Sequence, residues 1–156
     1  MAGPRTLLRY SQVRRTEQVA STADDALMAL GRYFQADCLF SDIIGMFVYV
    51  TGSAISGVPQ VTKVDIQTFG KYPAVGMIVE KSTATRCLVQ VLGEIGVSPA
   101  ILIPGRPYFI GLDSMLTNIP PTPAPGTRAA IQAIGTAIDD GRLLLNVHPQ
   151  LFLRAG

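Results

Sequence analysis

Short apolar runs of four to ten residues, separated by turns of Gly, Pro and Asp, predict β-strands over most of this chain. Residues 43–50 are β-branched and aromatic, with Gly45 as a bulge or bend, and residues 52–57 supply a polar, Gly-bounded turn. Residues 58–66 alternate in part, and residues 70–73 mark another turn. The clearest strand pair is 74–80 with 85–92, joined by Lys81-Ser82-Thr83-Ala84. In its second member Cys87, Val89 and Val91 point one way and Arg86, Leu88 and Gln90 the other, which predicts one core face.

The last third has the same grammar. Pro104-Gly105 marks a turn before Tyr108-Phe109-Ile110, and Asp140-Gly141 between two apolar runs predicts a hairpin joining residues 128–138 to 142–147. Gly141 would supply the positive φ of a tight primed turn. Small residues on both faces of that first strand, Ala129, Ala130, Ala133, Gly135 and Ala137, predict close approach by another layer or by a neighbouring subunit. Residues 119–126, IPPTPAPG, lack ladder donors at their prolines and predict an extended surface connection. No solenoid period is visible.

The N-terminal region differs. Residues 1–20 carry Arg5, Arg9, Arg14 and Arg15 against one acid, Glu17, without strand alternation, and this predicts an arm that lies on an acidic neighbouring subunit, on nucleic acid or in solvent, with the four arginines as candidate partner-binding residues. Ser21 or Thr22 can cap a short helix that opens with Asp24 and Asp25, continues through residues 26–30 and ends at Gly31. Leu27 and Leu30 would share its docking face, with Phe34 one turn further if helical geometry continues. The opening MAGPRTLLRYSQVRR has no apolar segment of a secretory signal, and its Arg-rich, acid-poor character superficially suits an organellar transit peptide.

About eight short strands thus predict a mainly β fold, a small β-barrel or sandwich of short antiparallel strands with an N-terminal extended arm and one short helix. The arm and helix take residues 1–36 and the β domain residues 37–156.

Composition changes the picture in one respect. Hydrophobic residues make up 48% of the 156 and charged residues 15%, against a typical charged share of about 25%. So few charges leave a lone domain with apolar surface to cover, which points to assembly with copies of itself or within a larger particle. A net charge of +2 argues against nucleic acid or anionic lipid as the main partner. No apolar run approaches the roughly 18 residues that span a bilayer, so no membrane partner is expected.

Candidate chemistry is sparse. Cys38 and Cys87 lie 49 positions apart without metal-ligand spacing and read as two buried free thiols. His148, the single histidine, has no nucleophile or orienting acid nominated beside it. GSAISG at residues 52–57 lacks the nucleophile-elbow spacing, and Lys81-Ser82-Thr83 lacks the glycines of a phosphate loop. Asp139 and Asp140 read as turn residues, and the five tyrosines are dispersed. No catalytic residue, cofactor or metal ligand is implied, and the expectation is a protein that is not an enzyme.

From residue 42 to 153 the chain resembles small β-rich virion domains of tailed bacteriophages, of the kind found in head-decoration (cement) proteins and in tail- or fibre-associated proteins. The resemblance rests on Phe47-Val48-Tyr49-Val50, Ala74-Val75-Gly76-Met77-Ile78, the Pro104-Gly105 turn before Tyr108-Phe109, and Leu116-Thr117. It continues through the Pro-rich connection, Ile131-Gln132-Ala133-Ile134-Gly135-Thr136-Ala137 and Leu143-Leu144-Leu145-Asn146-Val147. It implies a non-enzymatic virion structural protein, a homo-oligomer and most simply a trimer, bound to a major capsid protein or another virion protein. Cement between capsomers is the first expectation, and a tail, neck or fibre-attachment role the second. A ligand-binding module or small hydrolase using Ser53, Ser56 or His148 is the alternative from another class.

Overall fold

The computed structural model of this chain describes residues 32–55, 57–147 and 150–156. The arm and the helix expected over residues 21–31 lie outside the described residues, among which there is no helix.

The fold is mainly β and contains a closed barrel, as the strand grammar predicts. Five strands, β1 (Tyr33–Asp37), β2 (Phe47–Ile55), β3 (Val58–Lys63), β4 (Gly76–Thr83) and β5 (Arg86–Gln90), close in the order β1-β3-β2-β4-β5. The β1–β3 pair is parallel, with Asp37 opposite Gln60, and β2–β3, β2–β4 and β4–β5 are antiparallel. Seven further strands follow: β6 (Leu92–Gly96), β7 (Pro107–Ile110), β8 (Leu116–Thr117), β9 (Arg128–Ile131), β10 (Ala133–Ala137), β11 (Arg142–Asn146) and β12 (Phe152–Ala155). A second sheet has the order β6-β11-β10-β7-β8, while β9 and β12 pair only with each other.

Two hydrophobic clusters explain the runs of the sequence. Ala36, Val48, Val61, Ile78, Cys87 and Val89 come from all five strands of the closed sheet and fill its interior together with Cys38. Phe47 and Met77, each next in sequence to an interior residue, instead join Ile95, Tyr108, Ile110, Ile134, Leu143 and Leu145 between barrel and second sheet. Thus β2 and β4 are covered on both faces where they cross the joint, which is why they begin as unbroken apolar runs rather than alternating ones.

Polar groups stitch that joint. The buried Gln132 carboxamide accepts from the Ala74 N–H at 2.8 Å and donates to the Ala74 carbonyl at 3.1 Å. The Ala130 N–H donates to the Ile66 carbonyl at 2.7 Å, and the Phe47 N–H to the Ser114 carbonyl at 2.9 Å. Ser114 holds a left-handed backbone (φ 69°) that only tight local bonding sustains, and its hydroxyl donates to the Val64 carbonyl.

Several expectations need correction, five of them here. The barrel begins before residue 37, because β1 starts at Tyr33 and Phe34 lies on a strand rather than on a helix face. Residues 43–46 form a turn, and the strand that follows continues through 52–55, where its pairing with β3 is irregular, so residues 52–55 are strand and not the turn expected there. The predicted strand 128–138 is two strands in different sheets, broken at Gln132, whose side chain bonds Ala74. Leu88 and Gln90 are buried as well as Cys87 and Val89, so β5 has no solvent face; the Gln90 amide donates to the Leu92 and Glu94 carbonyls.

The fifth concerns the β10–β11 hairpin. It forms where expected, but the Ile138 N–H bonds the Arg142 carbonyl at 2.9 Å around a three-residue loop, and Gly141 is not among the positive-φ glycines. The Asp139 carboxylate closes that loop by accepting from the Gly141 N–H at 2.9 Å, so the primed two-residue turn is not required. The close approach foreseen for the small residues is supplied by the chain itself. A Cβ at Gly135 would lie 2.3 Å from the Leu144 carbonyl oxygen, and Ala129 and Ala130 are wholly buried.

Candidate interaction surface

Between β1 and β2 the chain makes two consecutive turns, each displaying an apolar pair. The Asp42 N–H bonds the Leu39 carbonyl at 3.0 Å and the Met46 N–H the Ile43 carbonyl at 3.2 Å, which leaves Leu39-Phe40 and Ile43-Ile44 exposed. Phe40 is 80% exposed, a large cost in water for a side chain that a flexible loop could fold inward.

This segment is not free to fold inward, because the residue between the pairs is tied to the barrel. Asp42 is fully buried (0% exposed), and its carboxylate accepts from the Leu39 N–H at 2.9 Å, the Lys63 N–H at 3.2 Å and the Thr62 hydroxyl at 3.0–3.1 Å. From β4 the Lys81 ammonium donates to the Asp42 carbonyl at 2.6 Å and to the Leu39 and Phe40 carbonyls at 3.4 Å. Backbone bonds from Cys38 to Thr85 (2.9 Å) and from Gly45 to Ile78 (2.8 Å) fix the two ends. Apolar side chains held this way lose little freedom on meeting a partner, the main cost that weakens loop-based binding.

A second aromatic is presented in the same manner. Phe69 is 92% exposed at the tip of residues 65–71, its ring set edge-on to Tyr72 (centroids 6.4 Å apart, planes at 87°). Asp65 organises this loop by accepting from the Thr68 hydroxyl at 2.6 Å and the Gln67 N–H at 3.0 Å. Those bonds, the Thr68 hydroxyl first, hold its carboxyl below the ordinary 3.8. A depressed folded value gives a contribution present above the ordinary range and lost as pH falls through the folded value. An NMR titration is therefore expected to place the Asp65 midpoint below 3.8, with the Gln67 amide moving in step; a midpoint at or above 3.8 would remove Asp65 as the organiser.

The strands add apolar area of their own. All four residues of β12 are exposed, including Phe152 and Leu153, although β9 beside it is buried from Ala129 to Ile131. On the outer face of the second sheet, Pro107, Thr136, Leu144 and Glu94 form one cross-strand row, all exposed. Beside it Arg142 bonds Glu94 at 3.0 Å and Asp139 at 2.7 Å, and this contact keeps the Asp139 carboxyl below its ordinary value. Sixteen large hydrophobic side chains are exposed among the described residues, so apolar display is a property of the whole body and not of one loop.

The residues singled out from sequence fall elsewhere. Arg5, Arg9, Arg14 and Arg15 lie outside the described residues, as do Ser56 and His148. Ser53 stands exposed on β2, its carbonyl accepting from the Gln60 amide at 3.1 Å. Asp139 is a turn residue, as expected. Cys38 and Cys87 are buried free thiols, also as expected, but the barrel brings them together. Sequence reasoning missed Asp42 and Lys81; the available signal was Ser41-Asp42 interrupting two apolar pairs just before a glycine.

No protein family, no curated protein and no solved structure matches this chain. The geometry gives a surface on which exposed aliphatic and aromatic side chains are carried by turns fixed to the barrel.

Proposed function

We propose that this chain is a non-enzymatic structural protein of a tailed-phage virion, a head-decoration (cement) protein that bridges capsomers as a homo-oligomer, a trimer in the simplest case. One observation carries the reading: two exposed apolar pairs, Leu39-Phe40 and Ile43-Ile44, are anchored to a closed barrel through a fully buried aspartate. A rigid apolar surface suits a lattice, where the same contact is made many times and each copy adds stability to the particle by mass action. The low charged share of 15% and the exposed strand β12 support the same reading. In it, Arg5, Arg9, Arg14 and Arg15 bond carboxylates on neighbouring virion proteins.

The test is co-sedimentation of the purified protein with phage heads and, separately, with tails. Head binding is expected, weakened roughly 10- to 150-fold by Phe40→Asp, on the scale of one aromatic side chain withdrawn from an apolar contact (about 1.5–3 kcal/mol). Removing residues 1–20 is expected to weaken it further in low salt than in high salt. Binding to tails alone would favour a tail, neck or fibre-attachment role, and binding to neither would end the virion reading. Sedimentation velocity at micromolar concentration is expected to show a trimer; a monomer would confine self-association to the lattice.

A further inference from the structure

We infer that Cys38 and Cys87 form an oxidation site, closing to an intramolecular disulfide that staples the apolar 38–46 segment to β5. The two residues are 49 apart in sequence, yet they meet at the seam where β1 and β5, the end strands of the order, close the barrel. Both are buried in one cluster with Ala36, Val48, Val61, Ile78 and Val89, and Cys38 is near enough to raise the Cys87 thiol.

The backbones around them are clamped. Asp37 and Arg86 form an ion pair at 2.8 Å, and the Cys38 N–H donates to the Thr85 carbonyl at 2.9 Å. The chain on either side of the two cysteines is therefore tied together by bonds that do not depend on the thiols. A disulfide requires them to close to about 2.05 Å, which side-chain rotation and the turn following Cys38 must supply.

The chemistry needs an external oxidant, and oxidised glutathione is the simplest class. The Cys38 thiolate, on the slightly more exposed residue (5% against 1%), attacks one sulfur of the oxidant and expels a glutathione thiolate. The Cys87 thiolate then attacks the Cys38 sulfur of the mixed disulfide and expels the second glutathione. Two thiols thus lose two protons and two electrons, and one disulfide of the oxidant becomes two thiols. In the reduced protein burial, followed by the adjacent Cys38, pushes the Cys87 thiol up to about 12; the burial persists in the mixed disulfide, so the second step is slow at neutral pH and accelerates as pH rises.

The staple has a mechanical consequence. The apolar pairs are held in the reduced protein by hydrogen bonds, those of Asp42 and Lys81 and the backbone bonds at Cys38 and Gly45, and in the oxidised protein by a covalent link as well. The inference stands on the thiol geometry and not on the virion reading, so either can fail without the other.

The experiment incubates the native full chain with oxidised glutathione at mildly alkaline pH, quenches with acid and then alkylates under denaturing conditions. Mass spectrometry is expected to show the loss of two hydrogens from the monomer and a Cys38–Cys87 cross-linked peptide. Tm is expected to rise by several degrees and to return on treatment with dithiothreitol. Cys38→Ser and Cys87→Ser should each abolish both the cross-link and the rise. Two alkylated thiols after exposure, a stalled glutathione adduct, or cross-links only between chains would each overturn the inference. The wild-type mass and peptide map decide the matter without either variant.

Discussion

Asp42→Ala is expected to cost the fold about 3–5 kcal/mol and to release the 38–46 segment from the barrel, as when one partner is removed from a buried charged network. The substitution removes the fully buried carboxylate that the Leu39 and Lys63 N–H groups and the Thr62 hydroxyl share as acceptor. Lys81, which bonds three carbonyls of the same turn, would then face a segment with no fixed shape. Urea unfolding measures the loss, and hydrogen exchange at the Leu39 and Lys63 amides locates it. Thr62→Val, which removes one donor and leaves the carboxylate its other contacts, should cost about 1 kcal/mol. In the double variant the two losses should not add, because both act through one carboxylate. A loss below about 1 kcal/mol for Asp42→Ala would mean that the apolar pairs owe their position to something else.

The same anchor shows why part of the surface was legible in sequence and part was not. Turn chemistry is local: the Pro104-Gly105 turn stands as read, with Gly105 at φ +80° and the Arg106 N–H bonding the Ile103 carbonyl. The β4–β5 pair is also local, although its turn tightens to Ala84-Thr85. Asp42 is different, since in sequence it is one more turn aspartate. Its partners Thr62 and Lys63 lie 20 and 21 positions away, on a strand whose register only the closed barrel fixes. The thiol pair is hidden for the same reason, as barrel closure, unlike strand formation, leaves no spacing in the sequence.

Low charge pointed correctly to extra apolar surface but not to its location. Ile43 and Ile44 read as the start of the strand expected over residues 43–50, and nothing local marks Leu39-Phe40 or Ile43-Ile44 as the exposed flanks of a buried aspartate. The break at Gln132 was equally hidden. A glutamine flanked by Ile131 and Ala133 fits a continuing strand, and its partner Ala74 is 58 positions away.

Gln132→Leu is accordingly expected to destabilise the protein by about 2–4 kcal/mol although it places a hydrophobic side chain at a buried site. Gln132 acts toward Ala74 as a short strand would, accepting from its N–H and donating to its carbonyl, so a leucine strands both backbone groups at about 1–3 kcal/mol each. Gln132→Glu separates this explanation from simple packing. A neutral glutamic acid can still donate one hydrogen bond and accept another, whereas the carboxylate can only accept and would face the Ala74 carbonyl unscreened. Burial raises such a group above the ordinary glutamate value of about 4.3, so the variant should be most stable below that value and lose stability as pH rises through the raised one. Chemical unfolding at pH 4 and pH 8 reads the difference against wild type. Equal stability of the variant relative to wild type at both pH values would mean that water reaches the carboxyl group, and that the joint between barrel and second sheet is held by its apolar contacts rather than by Gln132.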